Sequence, residues 1–226
     1  MSGRVVALVA AHDEADRVGQ TVRAILSIGS VDEVVVVDDG SSDATTSAAL
    51  GAGATVLRIP RRAGKGAALE GALRRLPPAE IWLFADGDLG GSAVALESVL
   101  TEVRASRADM AVAVFPRLGG GGFGVVKKGA AGAIRLLARY ESREPLSGQR
   151  AISAACLEAV RPLAPGFGVE AGMTIDAVRG GFRVVEVLTP GLSHRATGRS
   201  LRGFVHRGRQ GAEIARALAA RSVGLR

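Results

Sequence analysis

Runs of apolar residues alternate with amphipathic segments through the first half of the chain. The apolar runs have strand length, and the segments between them carry apolar residues at helical spacing. The predicted strands cover residues 4–10, 33–37, 55–59 and 81–85, and the predicted helices cover residues 13–27 and 66–76, with another helix capped by Ser41-Ser42-Asp43. Because the strand runs are continuously apolar, the pattern predicts a mostly parallel central sheet with helices on both faces.

The second half of the chain has a looser pattern. Its predicted helices cover residues 92–105, 125–139, 153–160 and 169–179, and its predicted strands cover residues 110–115 and 183–188. Glycines predict a loop at residues 118–124, and a helix with a basic face is predicted from residue 200. No repeat or linker separates two units, so we predict a single α/β domain over residues 1–226.

Composition narrows the class of protein. Hydrophobic residues make up 47% of the chain, which is enough for a packed interior. The single cysteine, Cys156, excludes an internal disulfide framework and favours a cytoplasmic location. No apolar run reaches the roughly 18 to 20 residues of a membrane span, and no signal-peptide pattern opens the chain. The net charge of +7 favours phosphate-bearing partners, and the cations are densest at residues 194–209.

Polar clusters follow three of the predicted strands. They are His12-Asp13-Glu14, Asp38-Asp39-Gly40-Ser41 and Asp86-Gly87-Asp88. In an open parallel sheet the ligand crevice lies beyond the carboxyl ends of the strands, so we expect these clusters to form one site. Two carboxylates one residue apart can bind Mg²⁺ or Mn²⁺, although an Asp-Gly pair after a strand also suits a simple turn.

The segment Arg61-Arg62-Ala63-Gly64-Lys65-Gly66 precedes a predicted helix and has the character of an anion site. Backbone amides at a helix start attract negative charge, and Lys65 adds a cation. The segment does not fit a dinucleotide-binding fingerprint, because Leu69 stands where a small residue is needed. It does not fit a P-loop either, since no Gly-Lys-Ser/Thr is present.

Six motifs together resemble family 2 glycosyltransferases of the GT-A fold. They lie at residues 36–45, 64–69, 84–89, 145–151, 166–172 and 193–195, and their order is similar to that of the dolichyl-phosphate mannose synthase and glucosyl-3-phosphoglycerate synthase branches. The resemblance spans roughly residues 5–210. It implies a Rossmann-like nucleotide-diphospho-sugar transferase fold, with a nucleotide-binding half at residues 1–90 and an acceptor-binding half at residues 91–226.

The resemblance also implies an activity and a set of site residues. The expected enzyme is a metal-dependent hexosyltransferase, with a UDP-sugar favoured and a GDP-sugar as the other donor, acting on an anionic small-molecule acceptor. The implied donor-binding residues are Ala10, Ala11, Glu14, Asp39, Gly40, Lys65, Asp86 and Gly87, and the implied ligands of Mg²⁺ or Mn²⁺ are Asp86, Asp88 and His194. The expected catalytic residues are Lys65, Asp86, Glu170 and Asp176. The expected acceptor-binding residues are Lys127, Ser147, Gly148, Gln149, Arg195, Arg199 and Arg202.

Two departures from the family pattern affect the substrates. The first strand ends in Ala10-Ala11-His12-Asp13-Glu14 instead of Pro-Ala-x-Asn-Glu, which alters the contacts to the base. The segment that holds phosphoglycerate in the synthase is replaced by residues 126–130, so the acceptor does not carry over. Retention and inversion at the sugar both stay open; inversion would make Glu170 or Asp176 the base.

Specific sequence features argue for or against three alternative functions. A sugar-1-phosphate nucleotidyltransferase should have a glycine-rich loop after strand one, and residues 10–17 contain no glycine. A nucleic-acid-binding protein would explain the charge but not three acidic clusters, and we expect no nucleic acid partner. A polyprenyl-phosphate glycosyltransferase remains an alternative, because a basic face can contact anionic lipid without a membrane span. A homodimer is a further expectation for the assembly.

Overall fold

The computed structural model describes residues 3–116 and 124–193, and it contains a seven-stranded sheet. The strands are β1 (Val5–Ala11), β2 (Glu33–Asp39), β3 (Thr55–Ile59), β4 (Ile81–Asp86), β5 (Met110–Val114), β6 (Arg150–Ser153) and β7 (Val184–Leu188). Their order across the sheet is β3-β2-β1-β4-β6-β5-β7. Strand β6 runs antiparallel to both β4 and β5, and the other pairings are parallel. The predicted mostly parallel sheet is confirmed.

Helices cover both faces of the sheet. They are α1 (Val18–Leu26), α2 (Thr45–Gly51), α3 (Lys65–Leu73), α4 (Glu97–Arg104), α5 (Gly124–Ala138), α6 (Ala154–Val160) and α7 (Val169–Arg179), with 3-10 turns at Gly90–Leu96 and Gly166–Gly168. On β1, Ala7 and Val9 pack with α1 and α4, whereas Val6 and Leu8 pack with α3, α6 and α7. Burial on two faces is the physical reason for the unbroken apolar runs in the sequence.

The register of the parallel strands brings their polar ends together. Ala10 of β1 pairs with Asp86 of β4, and Ala11 pairs with Asp38 of β2. The two aspartates therefore end neighbouring strands on either side of β1, at one edge of the sheet. This is the arrangement that the three polar clusters predicted.

Three details differ from the sequence-based expectation. Helix α1 begins at Val18 instead of residue 13, because the amides of residues 13–15 donate to side chains of the β2–α2 connection. The predicted helix over residues 92–105 divides into the 3-10 turn and α4. Strand β6 was not predicted at all.

Some predictions fall outside the described ranges, namely the glycine-rich loop before residue 124 and the helix from residue 200. Among the described residues, none of the helices has the length and apolar character needed to cross a bilayer.

Candidate active site

Two loops at the carboxyl ends of β1 and β2 are joined by reciprocal hydrogen bonds. The amide of Asp13 donates to Ser41 Oγ at 3.0 Å, and the amide of Glu14 donates to Thr45 Oγ1 at 2.9 Å. In return, the amide of Ser42 donates to Asp13 Oδ1 at 2.8 Å. Asp13 adopts a positive φ of 55°, which an aspartate tolerates better than most residues. The first wall of the crevice is therefore preformed.

Asp38 is the structural member of the Asp38-Asp39 pair. Its side chain is buried and accepts hydrogen bonds from the amide of Ser41 at 2.9 Å and from the hydroxyl of Thr46. Burial opposes ionisation of this carboxyl, but the hydrogen bonds from Ser41 and Thr46 outweigh it and hold the pKa of Asp38 below its ordinary value. Asp38 thus fixes the turn after β2.

Asp39, the predicted base-reading residue, contacts the segment that enters α3. Its Oδ1 accepts from the amide of Ala63 at 2.6 Å and its Oδ2 from the amide of Gly64 at 2.9 Å. Gly64 has a φ of 89°, which favours glycine. The backbone oxygen of Asp39 accepts from Nδ1 of His12 at 2.8 Å, which places the proton of a neutral ring on Nδ1. Through the hydrogen bonds from Ala63 and Gly64, Asp39 positions the start of α3.

The small residues predicted to line the donor pocket lie where backbones approach closely. The amide of Gly87 donates to the oxygen of Ala10 at 2.9 Å, and a Cβ on Gly87 would lie 3.1 Å from that of Ala11. Gly40 has a φ of 71°, and a Cβ there would lie 2.8 Å from the amide nitrogen of Arg62. Side chains at these glycines would narrow the crevice.

Lys65, at the first position of α3, lies at the centre of the site. Its Nζ donates to Asp86 Oδ1 at 2.5 Å and to Glu170 Oε1 at 2.8 Å. Burial by itself would lower the pKa of Lys65, but the two carboxylates more than offset that effect and raise it above its ordinary value. Three residues predicted to be catalytic are thus joined, and the lysine is held protonated. Asp86 ends β4, and Glu170 lies in the first turn of α7.

The predicted acceptor-binding segment at residues 147–149 reaches the same cluster. Gln149 Nε2 donates to Asp86 Oδ2 at 2.6 Å, and Ser147 Oγ donates to Gln149 Oε1 at 3.3 Å. A Cβ on Gly148 would collide with Lys65 Nζ and would lie 3.0 Å from Asp86 Oδ2. A larger residue at this position would require the lysine–aspartate pair to shift.

Arg150 belongs to the site although sequence reasoning did not single it out. Its residue is 1% exposed; Nη1 donates to the backbone oxygen of Glu170 at 3.1 Å and Nη2 to that of Ser147 at 2.5 Å. Its buried Nε has no hydrogen-bond partner among the described residues. Burial lowers the pKa of Arg150, while Glu170 and Asp86 act in the opposite direction, and arginine remains charged in proteins. The signal that could have revealed it is a charge inside an otherwise apolar Ala-Ile strand.

Asp86 and Asp88 offer the hard oxygen donors that Mg²⁺ and Mn²⁺ prefer. Asp88 is half-buried, two residues beyond β4. Within residues 3–116 and 124–193, no group of three or more His, Cys, Asp or Glu side chains is placed to hold a metal ion. Magnesium commonly binds through one or two carboxylates together with substrate phosphates, so this pair fits such an ion. His194, the other predicted ligand, lies outside the described residues.

Lys127, a predicted acceptor-binding residue, has a partner of its own. Lys127 Nζ donates to Glu144 Oε1 at 2.6 Å. Asp176 is buried on α7, and its position is about 120° around the helix axis from that of Glu170. Arg195, Arg199 and Arg202 lie outside the described residues.

Comparison with known proteins assigns the family. The model of the family described as Glycosyl transferase family 2 matches residues 6–156 of the chain. The chain belongs to glycosyl transferase family 2. The match runs from β1 through β6 and includes Lys65, Asp86 and Arg150, but it ends before Glu170.

Relatives of this family 2 chain point to one branch. Glucosyl-3-phosphoglycerate synthase of Mycolicibacterium paratuberculosis is 31% identical over 200 residues, which cover 77% of the chain and 60% of that protein. The synthase of Mycolicibacterium smegmatis is also 31% identical, over 77% of the chain and 64% of its own length. The chain thus spans about three fifths of the length of these curated relatives.

A solved structure of a relative agrees with the family 2 assignment. It is glucosyl-3-phosphoglycerate synthase from Mycobacterium tuberculosis in complex with Mn²⁺, UDP and phosphoglyceric acid, with a TM-score of 0.81 and 25% identity over 99% of the chain and 80% of the solved chain. The predicted family and fold are therefore confirmed. These relatives give no support to the nucleotidyltransferase or polyprenyl-phosphate alternatives.

Proposed function

We propose that the protein is a metal-dependent glycosyltransferase that moves a hexose from a UDP-sugar to an anionic small-molecule acceptor. The observation that carries this proposal is the Lys65 ammonium held between Asp86, at the carboxyl end of β4, and Glu170. Relatives crystallised with Mn²⁺, UDP and phosphoglyceric acid support the donor, the ion and the acceptor class.

The donor half of the reaction needs positive charge at the leaving group. The bond between the anomeric carbon and the diphosphate breaks with its electron pair, so negative charge grows on the departing nucleotide. Asp88 and Asp86 would hold a divalent ion there, and the chemistry it would supply is Lewis-acid stabilisation of that charge. The protonated Lys65 adds a fixed cation whose partners hold it in place before the reaction begins.

The acceptor half of the reaction needs an oriented hydroxyl. Its oxygen forms the new bond to the anomeric carbon as the bond to the diphosphate breaks. Its proton passes to a carboxylate such as Glu170 if the reaction inverts the anomeric centre, or to the departing diphosphate if it retains it. Glu170 is the carboxylate best suited to this side, because it is buried, ordered by Lys65 and adjacent to the 147–149 segment. Arg150 joins these two segments through the backbone oxygens of Ser147 and Glu170. We propose that Glu170 orients the acceptor and that Gln149 holds Asp86.

The proposed charge of the acceptor rests on two sequence features and on the relatives. Cations are densest at residues 194–209, and arginine binds phosphate or carboxylate through two parallel hydrogen bonds. Lys127, which was predicted to help, is instead paired with Glu144. We therefore assign acceptor binding to Arg195, Arg199 and Arg202 rather than to Lys127.

A transfer assay tests the proposal directly. Purified protein is incubated with UDP-glucose or GDP-glucose, with Mn²⁺ or with EDTA, and with 3-phosphoglycerate, glycerol 3-phosphate or glycerol, and products are identified by mass spectrometry. We expect transfer from UDP-glucose to phosphorylated acceptors only when metal is present. Transfer to glycerol but not to the phosphorylated acceptors would contradict the proposal. Undiminished transfer in EDTA would contradict it as well. The anomeric proton of the product in NMR distinguishes retention from inversion.

A pair of variants connects the assay to the site. Lys65→Ala should lower kcat by about 100- to 1000-fold, the usual effect of removing one group that stabilises developing negative charge. Arg75→Ala is the matched control, because Arg75 is exposed just beyond the end of the same helix. Equal activity of the two variants would remove Lys65 from the mechanism.

A further inference from the structure

Glu70 is a buried carboxylate outside the cluster around Lys65. It lies on α3, is 8% exposed and accepts hydrogen bonds at both oxygens. Arg161 donates to Oε1 through Nη2 at 3.0 Å and to Oε2 through Nε at 3.3 Å, and the amide of Leu163 donates to Oε2 at 3.1 Å. Arg74, from the same helix as Glu70, donates to Oε1 at 3.1 Å. One carboxylate therefore ties α3 to residues 161–163.

The segment at residues 161–165 packs on the same face of α3 that carries Glu70. Gly66 precedes Glu70 by four residues, which places the two on one side of the helix. A Cβ on Gly66 would collide with the backbone oxygen of Ala164 and would lie 3.2 Å from Cα of Pro165. Backbone contact at Gly66 and hydrogen bonds at Glu70 thus hold this segment at two points along α3.

This segment leads directly into the helix that carries Glu170. Residues 166–168 form a 3-10 turn, and α7 begins at Val169. Lys65 begins α3, so the 2.8 Å contact between Lys65 Nζ and Glu170 Oε1 depends on how the starts of α3 and α7 are placed relative to each other. The Glu70–Arg161 contact joins the same two parts of the chain about one and a half turns further along α3.

We propose that Glu70 and Arg161 are positioning residues that keep Glu170 against Lys65 and so maintain the geometry of transfer. The inference rests on the proposed function, because the effect on rate has meaning only for an active transferase. A side-chain shift of about 1 Å can cost on the order of 100-fold in rate, so a contact outside the reacting groups can govern kcat. Among the described residues, Arg161 and Leu163 form their hydrogen bonds with Glu70 and Glu158, and none of these joins them to the donor pocket formed by β1, β2 and their loops. Donor affinity should therefore stay unchanged.

Arg161→Ala and Arg74→Ala form a matched pair for the test. Each removes an arginine that donates to Glu70. Of these two arginines, only Arg161 belongs to the 161–163 segment, whereas Arg74 belongs to the same helical region as Glu70. With UDP-glucose, Mn²⁺ and 3-phosphoglycerate, Arg161→Ala should lower kcat by about 10- to 100-fold, with the Kd for UDP from calorimetry changed by less than about threefold. Arg74→Ala should keep kcat within about twofold of the wild type. Arg161→Lys retains the positive charge but not the two-point hydrogen bonding of the guanidinium. Its kcat should lie between the values for Arg161→Ala and Arg74→Ala.

Amide hydrogen exchange supplies a readout that does not depend on activity. The peptide covering residues 163–170 should exchange faster in Arg161→Ala than in Arg74→Ala at equal global stability. Wild-type kcat in a folded Arg161→Ala variant, or equal exchange in the two variants, would overturn the inference and leave Glu70 a purely structural residue. If the wild type transfers no sugar, the proposed function fails, and exchange alone then decides whether Glu70 and Arg161 hold the start of α7.

Discussion

At the scale of single residues, the site brings two cations and two carboxylates together; Arg150 and Glu170 are buried, and the side chain of Asp86 is 35% exposed. Lys65 forms ion pairs with Asp86 and Glu170. Arg150 donates hydrogen bonds to backbone oxygens and interacts electrostatically with the same two carboxylates. A charge removed from water is costly unless others compensate it. The two carboxylates therefore offset part of the cost of burying the two cations.

Arg150→Met should be strongly destabilising. It removes the buried guanidinium, takes away the donor to the carbonyl of Ser147 and one donor to that of Glu170, and upsets the local charge balance. Loss of one member of a buried charged group typically costs about 3 to 5 kcal/mol of unfolding free energy. Urea unfolding followed by circular dichroism measures this cost. Arg135→Met, at an exposed position on α5, should stay within about 0.5 kcal/mol, and a similar result for Arg150→Met would refute a role in charge balance.

Asp38→Asn should change how stability depends on pH. Since the folded pKa of Asp38 lies below its ordinary value of 3.8, its ionised form contributes stability above that pH, and the contribution is lost as pH falls through the folded pKa. The gap in unfolding free energy between wild type and Asp38→Asn should therefore be largest near neutral pH and should shrink below about pH 4. Urea unfolding at three pH values measures the gap. A gap that is constant with pH would show that ionisation of Asp38 does not matter.

At the scale of elements, two glycines of α3 should respond in opposite ways to alanine. Gly66→Ala places a methyl group against the backbone of Ala164, which cannot move without displacing residues 161–165, so we expect a loss of about 1 to 3 kcal/mol or more. Gly71→Ala meets nothing within 4 Å and should stabilise the helix by about 0.5 to 1 kcal/mol. Thermal and urea unfolding of both variants test the pair. Equal effects would mean that α3 does not pack as described.

The elements also show how far the sequence could predict the fold. Strands β1 to β4 and helix α7 were predictable, because each has a continuous apolar run or a full helical period of apolar residues. Strand β6 was not, because its four residues begin with a buried arginine and its pairing depends on strands distant in sequence. Tertiary context decided that element, and local pattern carried too little information.

Three residues that the structure joins in one cluster could be selected from the sequence, but the contacts between them could not. Motifs identified Lys65, Asp86 and Glu170, and the strand ends placed the first two at one edge of the sheet. The hydrogen bond from Gln149 to Asp86 joins residues that are 63 positions apart in the sequence, and no local pattern of residues predicts a contact at that separation. The hydrogen bonds from the amides of residues 63 and 64 to Asp39 were missed for the same reason. A carboxylate that accepts from backbone amides does not require any particular side chain at the partner positions.

At the scale of the whole molecule, ligand binding should stabilise the entire fold. The site draws residues from β2, α3, β4, β6 and α7, so a bound nucleotide joins elements across most of the sheet. UDP with Mn²⁺ at about 100 times its Kd should add about 2.7 kcal/mol, or a rise in Tm of roughly 5 to 10 °C for a chain of this size. Differential scanning fluorimetry measures the shift. Asp88→Asn should reduce it, and an undiminished shift in that variant would remove Asp88 from the metal site.

The position of β6 has a consequence for synthesis. Strand β5 is made before β6, yet in the sheet β6 separates β5 from β4. While the ribosome is still adding residues 115–149, β4 therefore has an unpaired edge and β5 has no neighbour to join. Exposed strand edges pair readily with other chains. A nascent chain halted before residue 150 should thus aggregate more readily than the full chain, and the four residues of β6 cover the edge of β4 and the facing edge of β5.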